Sequence, residues 1–221
     1  MKRRFDRLFS ALVSLAAALT AHADGPGGYR PREGQPAATS EQSAIDAYNS
    51  GYALILHAEH AQDLAAASSS ETERTAAERD ARAAYQASLQ KFAAATGFDA
   101  SMHEAYTYLG YANRKLGRYE DALRAYERAL RVNPNYPHAI EYQAEAFLGL
   151  NRVDEARFNY LRLYALDSRQ ASKLFLAMQA WYGANRNKPP AGVDMDALAA
   201  WIAERSSSSE RDAVKNAAAS W

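Results

Sequence analysis

From residue 39 onward, apolar residues recur along the chain with the spacing of one face of a helix. This part is rich in alanine, leucine, glutamate and arginine, and its apolar residues recur every three or four positions, which is typical of amphipathic helices. Thr39, Ser70 and Ser101 each stand three residues before Glu or Gln, a pattern that caps helix N-termini. We therefore predict helices near 40–67, 70–96 and 101–116.

Turn residues mark the ends of the third and fourth helices. Gly117 suits a left-handed residue after the third helix, because glycine adopts positive φ without steric cost. Pro134 disfavours the helical conformation of the residue before it, Asn133. We expect the fourth helix to run from about Arg118 to this point.

The sequence repeats itself within residues 103–168, where each position resembles the position about 34 residues further on. The positions paired by this spacing include Tyr106 with Ile140, Gly110 with Ala144, Ala122 with Ala156, and Tyr126 with Tyr160. Gly110 and Ala122 are small, as expected where two helices cross closely, and Tyr106 and Tyr126 can fill the space beside them. The sequence therefore predicts two consecutive helical hairpins of equal length.

A repeat period of about 34 residues that contains two helices is typical of the tetratricopeptide repeat. Segment 103–136 resembles one complete repeat of that family, with the Leu109-Gly110 pair and the turn glycine in place. Segment 137–168 is a weaker copy, with Gln143 for the leucine and Ser168 for the proline. The resemblance implies an all-α fold, a right-handed α-α superhelix of helical hairpins closed by C-terminal capping helices.

Residues 40–96 are interpreted as a degenerate, lengthened repeat. Gly51 takes the place of Gly110, and Phe92 stands one repeat period before Tyr126. Because the two glycines lie much further apart than one repeat period, this hairpin must be longer than a standard one. The predicted repeat domain spans 40–184.

The C-terminal part, 185–221, is expected to contain a loop and helices. Before it, Asp167 caps a helix that runs to about Tyr182 and covers the last apolar face of the repeats with Leu174 and Met178. We predict a loop over 185–192, a short helix over 194–205, and a serine hinge over 206–209 that leads to a final helix.

The family resemblance implies a non-enzymatic adaptor or scaffold that binds a segment of another protein. In this family the first helix of each hairpin lines a concave groove. Carried over position by position, the expected partner-binding residues are Tyr48, Tyr52, Glu104, Thr107, Tyr111, Arg114, His138, Glu141 and Glu145. The same face would also include Ile45, Ile55, Leu148, Phe175 and Tyr182. Thr107 and Tyr111 stand where the carboxylate-clamping variant needs lysine and asparagine, so a receptor for chaperone tails is not expected.

Residues 1–23 are interpreted as a cleavable signal peptide. A short basic segment precedes the uncharged apolar run 8–20, which is too short to span a bilayer, and Ala21-His22-Ala23 supplies a cleavage motif. Segment 24–39, rich in glycine and proline, is predicted to be a flexible linker. We expect a periplasmic or secreted protein in which no further segment spans the membrane.

Composition excludes several kinds of chemistry. The chain has no cysteine, so it has neither disulfides nor thiol catalysis. Without the signal peptide, the chain has 22 basic residues (26 minus 4) and 25 acidic residues (26 minus 1). Nucleic-acid binders are usually basic, so no nucleic-acid partner is expected. No phosphate loop, nucleophile elbow or zinc-protease motif is present, so neither a cofactor nor an enzymatic activity is expected.

Two alternatives remain open from the sequence. One is a structural protein that forms homo-oligomers through the long hairpin or the helix that carries Trp201. The other is a metal-binding protein or small enzyme centred on His57 and His60, because two imidazoles one helical turn apart can share a metal. A third ligand would have to come from Asp63, whose angular offset is poor, so no metal site is predicted.

Overall fold

The described part of the chain consists of helices joined by turns and loops. The structure is a computed structural model that describes residues 39–218, with side chains described as far as residue 206. Its helices are α1 (Ser40–Ala67), α2 (Glu71–Phe98), α3 (His103–Lys115), α4 (Tyr119–Val132), α5 (Pro137–Gly149), α6 (Val153–Leu166), α7 (Ser168–Asn185) and α8 (Met195–Ala218). The predicted signal peptide and linker residues 24–38 lie outside the described residues. The chain divides into two compact units between Ala100 and Ser101.

The first unit is a long hairpin of α1 and α2. Each helix has 28 residues, which confirms the predicted lengthening. The hydroxyls of Thr39 and Ser70 accept backbone N–H groups three residues ahead, as their capping patterns predict. A Cβ built at Gly51 would lie 2.9 Å from Cε1 of Phe92, so glycine permits the close approach of α1 and α2.

In the second unit, consecutive helices pack against one another, and α5 also packs against α3 and α7. A Cβ at Gly110 would lie 2.4 Å from Cε1 of the buried Tyr126, which confirms the predicted crossing of α3 and α4. Gly117 has φ +76°, and Asn151, one repeat period later, has φ 61°. Asparagine is among the few other residues that tolerate this conformation, so the α5–α6 turn repeats the α3–α4 turn.

A buried polar pair explains why the second hairpin departs from the repeat pattern. Gln143, which takes the position of Leu109, accepts a 2.9 Å hydrogen bond from the side-chain amide of Asn159. Asn159 stands one repeat period after Ala125. A leucine–alanine pair in the first hairpin is thus replaced by a glutamine–asparagine pair in the second, and the buried polar groups bond each other.

Two local predictions are wrong. Ser101 does not cap α3, whose first residue is His103 and whose N-cap residue, Met102, makes no side-chain bond. The carbonyl of Ser101 accepts the His103 N–H at 2.9 Å, and the helix begins two residues later than the pattern predicts.

The predicted hinge over 206–209 is also wrong, because α8 continues through it. The hydroxyl of Ser206 donates to the carbonyl of Ile202 at 3.0 Å, a bond that lets serine remain within a helix. Serine costs only about 0.5 kcal/mol relative to alanine in a helix interior, so four serines do not end it.

The predicted capping segment is confirmed by its burial. Leu174 and Met178 of α7 and Leu198 and Trp201 of α8 are buried in one apolar cluster with Leu163 of α6. The last repeat face is therefore covered by chain that follows it. No helix in the described range 39–218 combines the length and the apolar character needed to cross a bilayer.

Candidate functional site

The first helices of the two regular hairpins, α3 and α5, are joined by a group that we call the tyrosine–arginine cluster. It consists of Tyr111 and Arg114 of α3 and Tyr142 and Glu145 of α5. The Arg114 guanidinium pairs with the Glu145 carboxylate at 2.6 Å and lies 5.1 Å and 5.5 Å from the ring centres of Tyr111 and Tyr142. The two tyrosine rings are 5.1 Å apart. Three predicted site residues, Tyr111, Arg114 and Glu145, are therefore brought together.

The electrostatics keep this cluster charged and in place. Burial alone would lower the pKa of Arg114, but Glu145, Tyr126 and Tyr111 together raise it above its ordinary value. The Tyr126 hydroxyl is fully buried beside this guanidinium, and its burial raises its pKa. Arg114 therefore stays protonated, and its planar group is held between aromatic rings and a carboxylate.

Next to this cluster lies a second group of polar side chains, the Glu141 group, on α5 and the first two turns of α7. It comprises His138, Glu141, Asp167, Gln170 and Lys173. Glu141 is only 5 % exposed, and its Oε2 is buried without a hydrogen-bond partner among the described residues. Burial and the nearby Glu145 raise its pKa to about 7, against the opposing effects of Lys173 and Arg114.

His138 and Gln170 complete the Glu141 group. The side-chain amide of Gln170 lies 2.9 Å from Nδ1 of His138, and Asp167 accepts the N–H groups of Arg169 and Gln170 as the cap of α7. Burial, and then Lys173, lower the pKa of His138, so its ring is neutral near pH 7. Gln170 Oε1 is a second buried acceptor with no partner within the described range.

Other predicted site residues lie elsewhere. Thr107 is fully buried and its hydroxyl donates to the His103 carbonyl at 2.8 Å, so it offers no surface to a partner. Glu104 pairs with the adjacent His103 at 3.2 Å. Tyr48 and Tyr52 belong to the first unit, where their rings stack 6.2 Å apart and Tyr48 contacts Phe92 edge-on.

Residues predicted to extend the groove are largely part of the apolar core. Leu148 is buried in the cluster beneath α7, and Phe175 and Tyr182 pack against it. Phe175 contacts Tyr160 and Trp201. Ile55 is buried in the first unit. Ile55 and Leu148 are therefore not available as a binding face, whereas Phe175 and Tyr182 remain partly exposed.

The sequence-based prediction missed Tyr142, Gln170 and Lys173. Tyr142 directly follows Glu141 and belongs to a face that the groove pattern does not include. Gln170 stands three residues after Asp167, where the sequence indicates only a helix start, and Lys173 lies one turn further along α7. Their participation depends on how α7 packs against α5, which no spacing within either helix reveals.

Of the two histidines on α1, His57 contacts a carboxylate of the opposite helix. His57 Nε2 lies 3.0 Å from a carboxylate oxygen of Asp80 in α2, and both side chains are more than half exposed. No group of three or more potential metal ligands is found in the part of the chain that the structure describes. The geometry of His57 is that of a contact between two exposed side chains on neighbouring helices.

Antiparallel hairpins with a glycine at the crossing and a left-handed turn residue define a class of helical-repeat protein. Within it, residues 103–136 match the family model of the tetratricopeptide repeat, and these are the residues predicted to form a complete repeat. No curated protein matches the chain. The match covers α3, α4 and their connection to α5, and it supports the general function of such repeats, which is to mediate protein–protein interaction.

Proposed function

We propose that this protein is a non-enzymatic adaptor whose second unit binds a segment of another protein along α3 and α5. The tyrosine–arginine cluster carries this proposal. Tyrosine and arginine dominate protein-binding hot spots because they combine large contact area with hydrogen-bonding capacity. Here they are already held by the Arg114–Glu145 pair, so little side-chain freedom would be lost on binding.

The charges of the cluster suit recognition. Arg114 and Glu145 side chains remain 18 % and 21 % exposed, and Tyr142 is half-buried. A partner can therefore contact them without unfolding either hairpin. By contrast, the charged residues of α4, among them Arg124 and Arg128, are exposed.

Position-specific photocrosslinking tests the proposal. A benzoylphenylalanine in place of Tyr142 probes the cluster, and the same residue in place of Arg128 provides an exposed control on α4. We expect crosslinked adducts with another protein from position 142 and not from position 128. Equal yields at both positions, or no adduct at 142, would refute binding along α3 and α5. An adduct of twice the chain mass would favour the homo-oligomer instead.

We further propose that the protein is exported to the cell envelope and acts there. The basic segment, apolar run and Ala21-His22-Ala23 motif support this proposal. N-terminal sequencing of protein recovered from the native cells should begin at Asp24. Recovery of chains that retain Met1 from the cytoplasm alone would contradict export.

A further inference from the structure

We propose that a second copy of this chain docks on the face formed by α4 and α6, so that the two copies are related by a two-fold axis. This face differs from the surface along α3 and α5 and does not depend on the function proposed for that surface. Its first support is an open groove of about 730 Å³ between α4 and α6. The side chains of Leu130, Phe147 and Phe158 supply its apolar lining.

Phe158 and its neighbour on α6 leave apolar surface in contact with solvent beside this groove. Phe158 is 66 % exposed, and Leu161, one turn further along the helix, is 46 % exposed. Removing such side chains from water is favourable, and apolar surface gathered in one place marks interaction sites. A small molecule within the groove would leave much of Phe158 exposed, whereas a protein surface can cover both the groove and this ring.

The charges on both helices are arranged symmetrically about the level of Phe158. On α6, Asp154 stands four residues before Phe158 and Arg162 four residues after it. On α4, Glu120 and Arg128 occupy the equivalent positions one repeat period earlier. Residues four apart share one face of a helix. Each helix therefore carries an acidic residue about 6 Å before this level and a basic residue about 6 Å after it.

This arrangement of charge is complementary to itself. Because the two hairpins repeat one fold, α4 and α6 run in the same direction. A two-fold axis perpendicular to both helices makes the helices of the second copy antiparallel to those of the first. Glu120 of one copy then faces Arg128 of the other, Asp154 faces Arg162, and the two Phe158 side chains meet at the axis. Two-fold dimers require such a self-complementary surface.

Contacts within one copy leave these charges available. Glu120 and Arg128 are exposed and form no ion pair within the residues that the structure describes. The Asp154 side chain is 89 % exposed and lies 3.2 Å from Arg157, and exposed pairs of this kind contribute little to stability. Arg162 donates one hydrogen bond to a backbone carbonyl, and a guanidinium has five N–H donors.

Sedimentation equilibrium of the purified protein over a range of concentrations tests the inference. We expect the mass to rise from that of one chain to that of two. Phe158→Ala should weaken association at least about tenfold, because each copy loses the ring that meets its counterpart at the axis. Leu176→Ala is the matched control, since Leu176 is 65 % exposed on α7 of the same unit. This control should leave association unchanged.

An exchange of charges on α4 tests the orientation of the two copies. Glu120→Arg and Arg128→Glu each bring like charges together and should each weaken association several-fold. The double variant Glu120→Arg/Arg128→Glu restores opposite charges in both contacts and should recover most of the association. Positions 120 and 128 are about 12 Å apart along one helix, so this recovery reports a contact between copies.

Three results would overturn the inference. The first is a mass of one chain at every concentration. The second is a dimer that Phe158→Ala and Leu176→Ala weaken equally, and the third is a double charge variant that associates no better than the single variants.

Crosslinking distinguishes this pair of copies from the adaptor surface. From benzoylphenylalanine at position 128 we expect an adduct of twice the chain mass, and an adduct there with a different protein would refute a second copy as the occupant. The adaptor proposal is tested separately, by adducts with another protein from position 142.

Discussion

Replacing Gly110 with alanine tests the closest helix contact in the second unit. A Cβ built there lies 2.4 Å from Cε1 and 2.7 Å from Cδ1 of Tyr126, well inside the carbon–carbon contact distance of about 3.5–4.0 Å. Tyr126 is fully buried, so its ring has no solvent-exposed space into which to move. Overpacking of this kind costs about 1–3 kcal/mol.

The steric cost has to be separated from the preference of alanine for helices, which is worth up to about 1 kcal/mol over glycine. Gly183→Ala is the matched control, because Gly183 lies in α7 of the same unit and a Cβ there meets no atom within 4 Å. The expected difference in free energy of unfolding between the two variants is about 1–3 kcal/mol. Gly183→Ala should be at least as stable as wild type.

Urea denaturation followed by tryptophan fluorescence measures this difference. Trp181 and Trp201 lie in the second unit, so the fluorescence change reports the unfolding of that unit. Linear extrapolation then gives the free energy of unfolding of each variant. If Gly110→Ala is as stable as Gly183→Ala, the close packing of α3 on α4 through Tyr126 is refuted.

Three further predictions concern polar groups in the same unit. Arg114→Met leaves Glu145 partly buried and unpaired, and should lower the free energy of unfolding by about 1–3 kcal/mol in urea denaturation. The double variant Arg114→Met/Glu145→Gln should recover part of this loss, and equal stability of the single and double variants would contradict the pairing. Asn159→Ala leaves Gln143 without its partner and should lower the free energy of unfolding by about 1–3 kcal/mol. The double variant Asn159→Ala/Gln143→Leu has the leucine and alanine of the first hairpin and should be about as stable as wild type. An additive loss of stability in the double variant would refute this explanation. The pKa of Glu141 is raised from 4.5 to about 7, so the folded state binds more protons than the unfolded state between these pH values. As the pH rises through this window, the free energy of unfolding of wild type should fall by roughly 1–3 kcal/mol relative to that of Glu141→Gln. Chemical denaturation at several pH values checks this sign, and a difference that does not vary with pH would contradict it.

Much of the second unit could be predicted from local sequence. The repeat spacing, the crossing glycine Gly110 and the turn glycine Gly117 each have a steric reason that operates within one hairpin. The caps at Thr39, Ser70 and Asp167 were predictable for the same reason, since a cap depends on residues only three positions apart. At Ser101 the same pattern places the start of the helix two residues too early, because the N-cap residue of α3 is Met102.

The candidate site was predicted only in part. Helical spacing assigned Arg114 and Glu145 to one predicted face, and the structure joins the two side chains at 2.6 Å. Thr107 has the same spacing but is fully buried, because spacing along one helix does not show how deeply neighbouring helices cover it. Tyr142 and Gln170 were missed because their roles depend on contacts between helices.

The sequence by itself determined the helical class, the hairpin length and the positions where two helices of one hairpin approach, because these depend on residues close in the chain. Tertiary structure decided which side chains meet across α3, α5 and α7. It therefore decided that Arg114 lies between two tyrosine rings and that Glu141 is buried without a donor among the described residues. Burial and charge are properties of packed neighbours, and those neighbours are set only when the helices pack together.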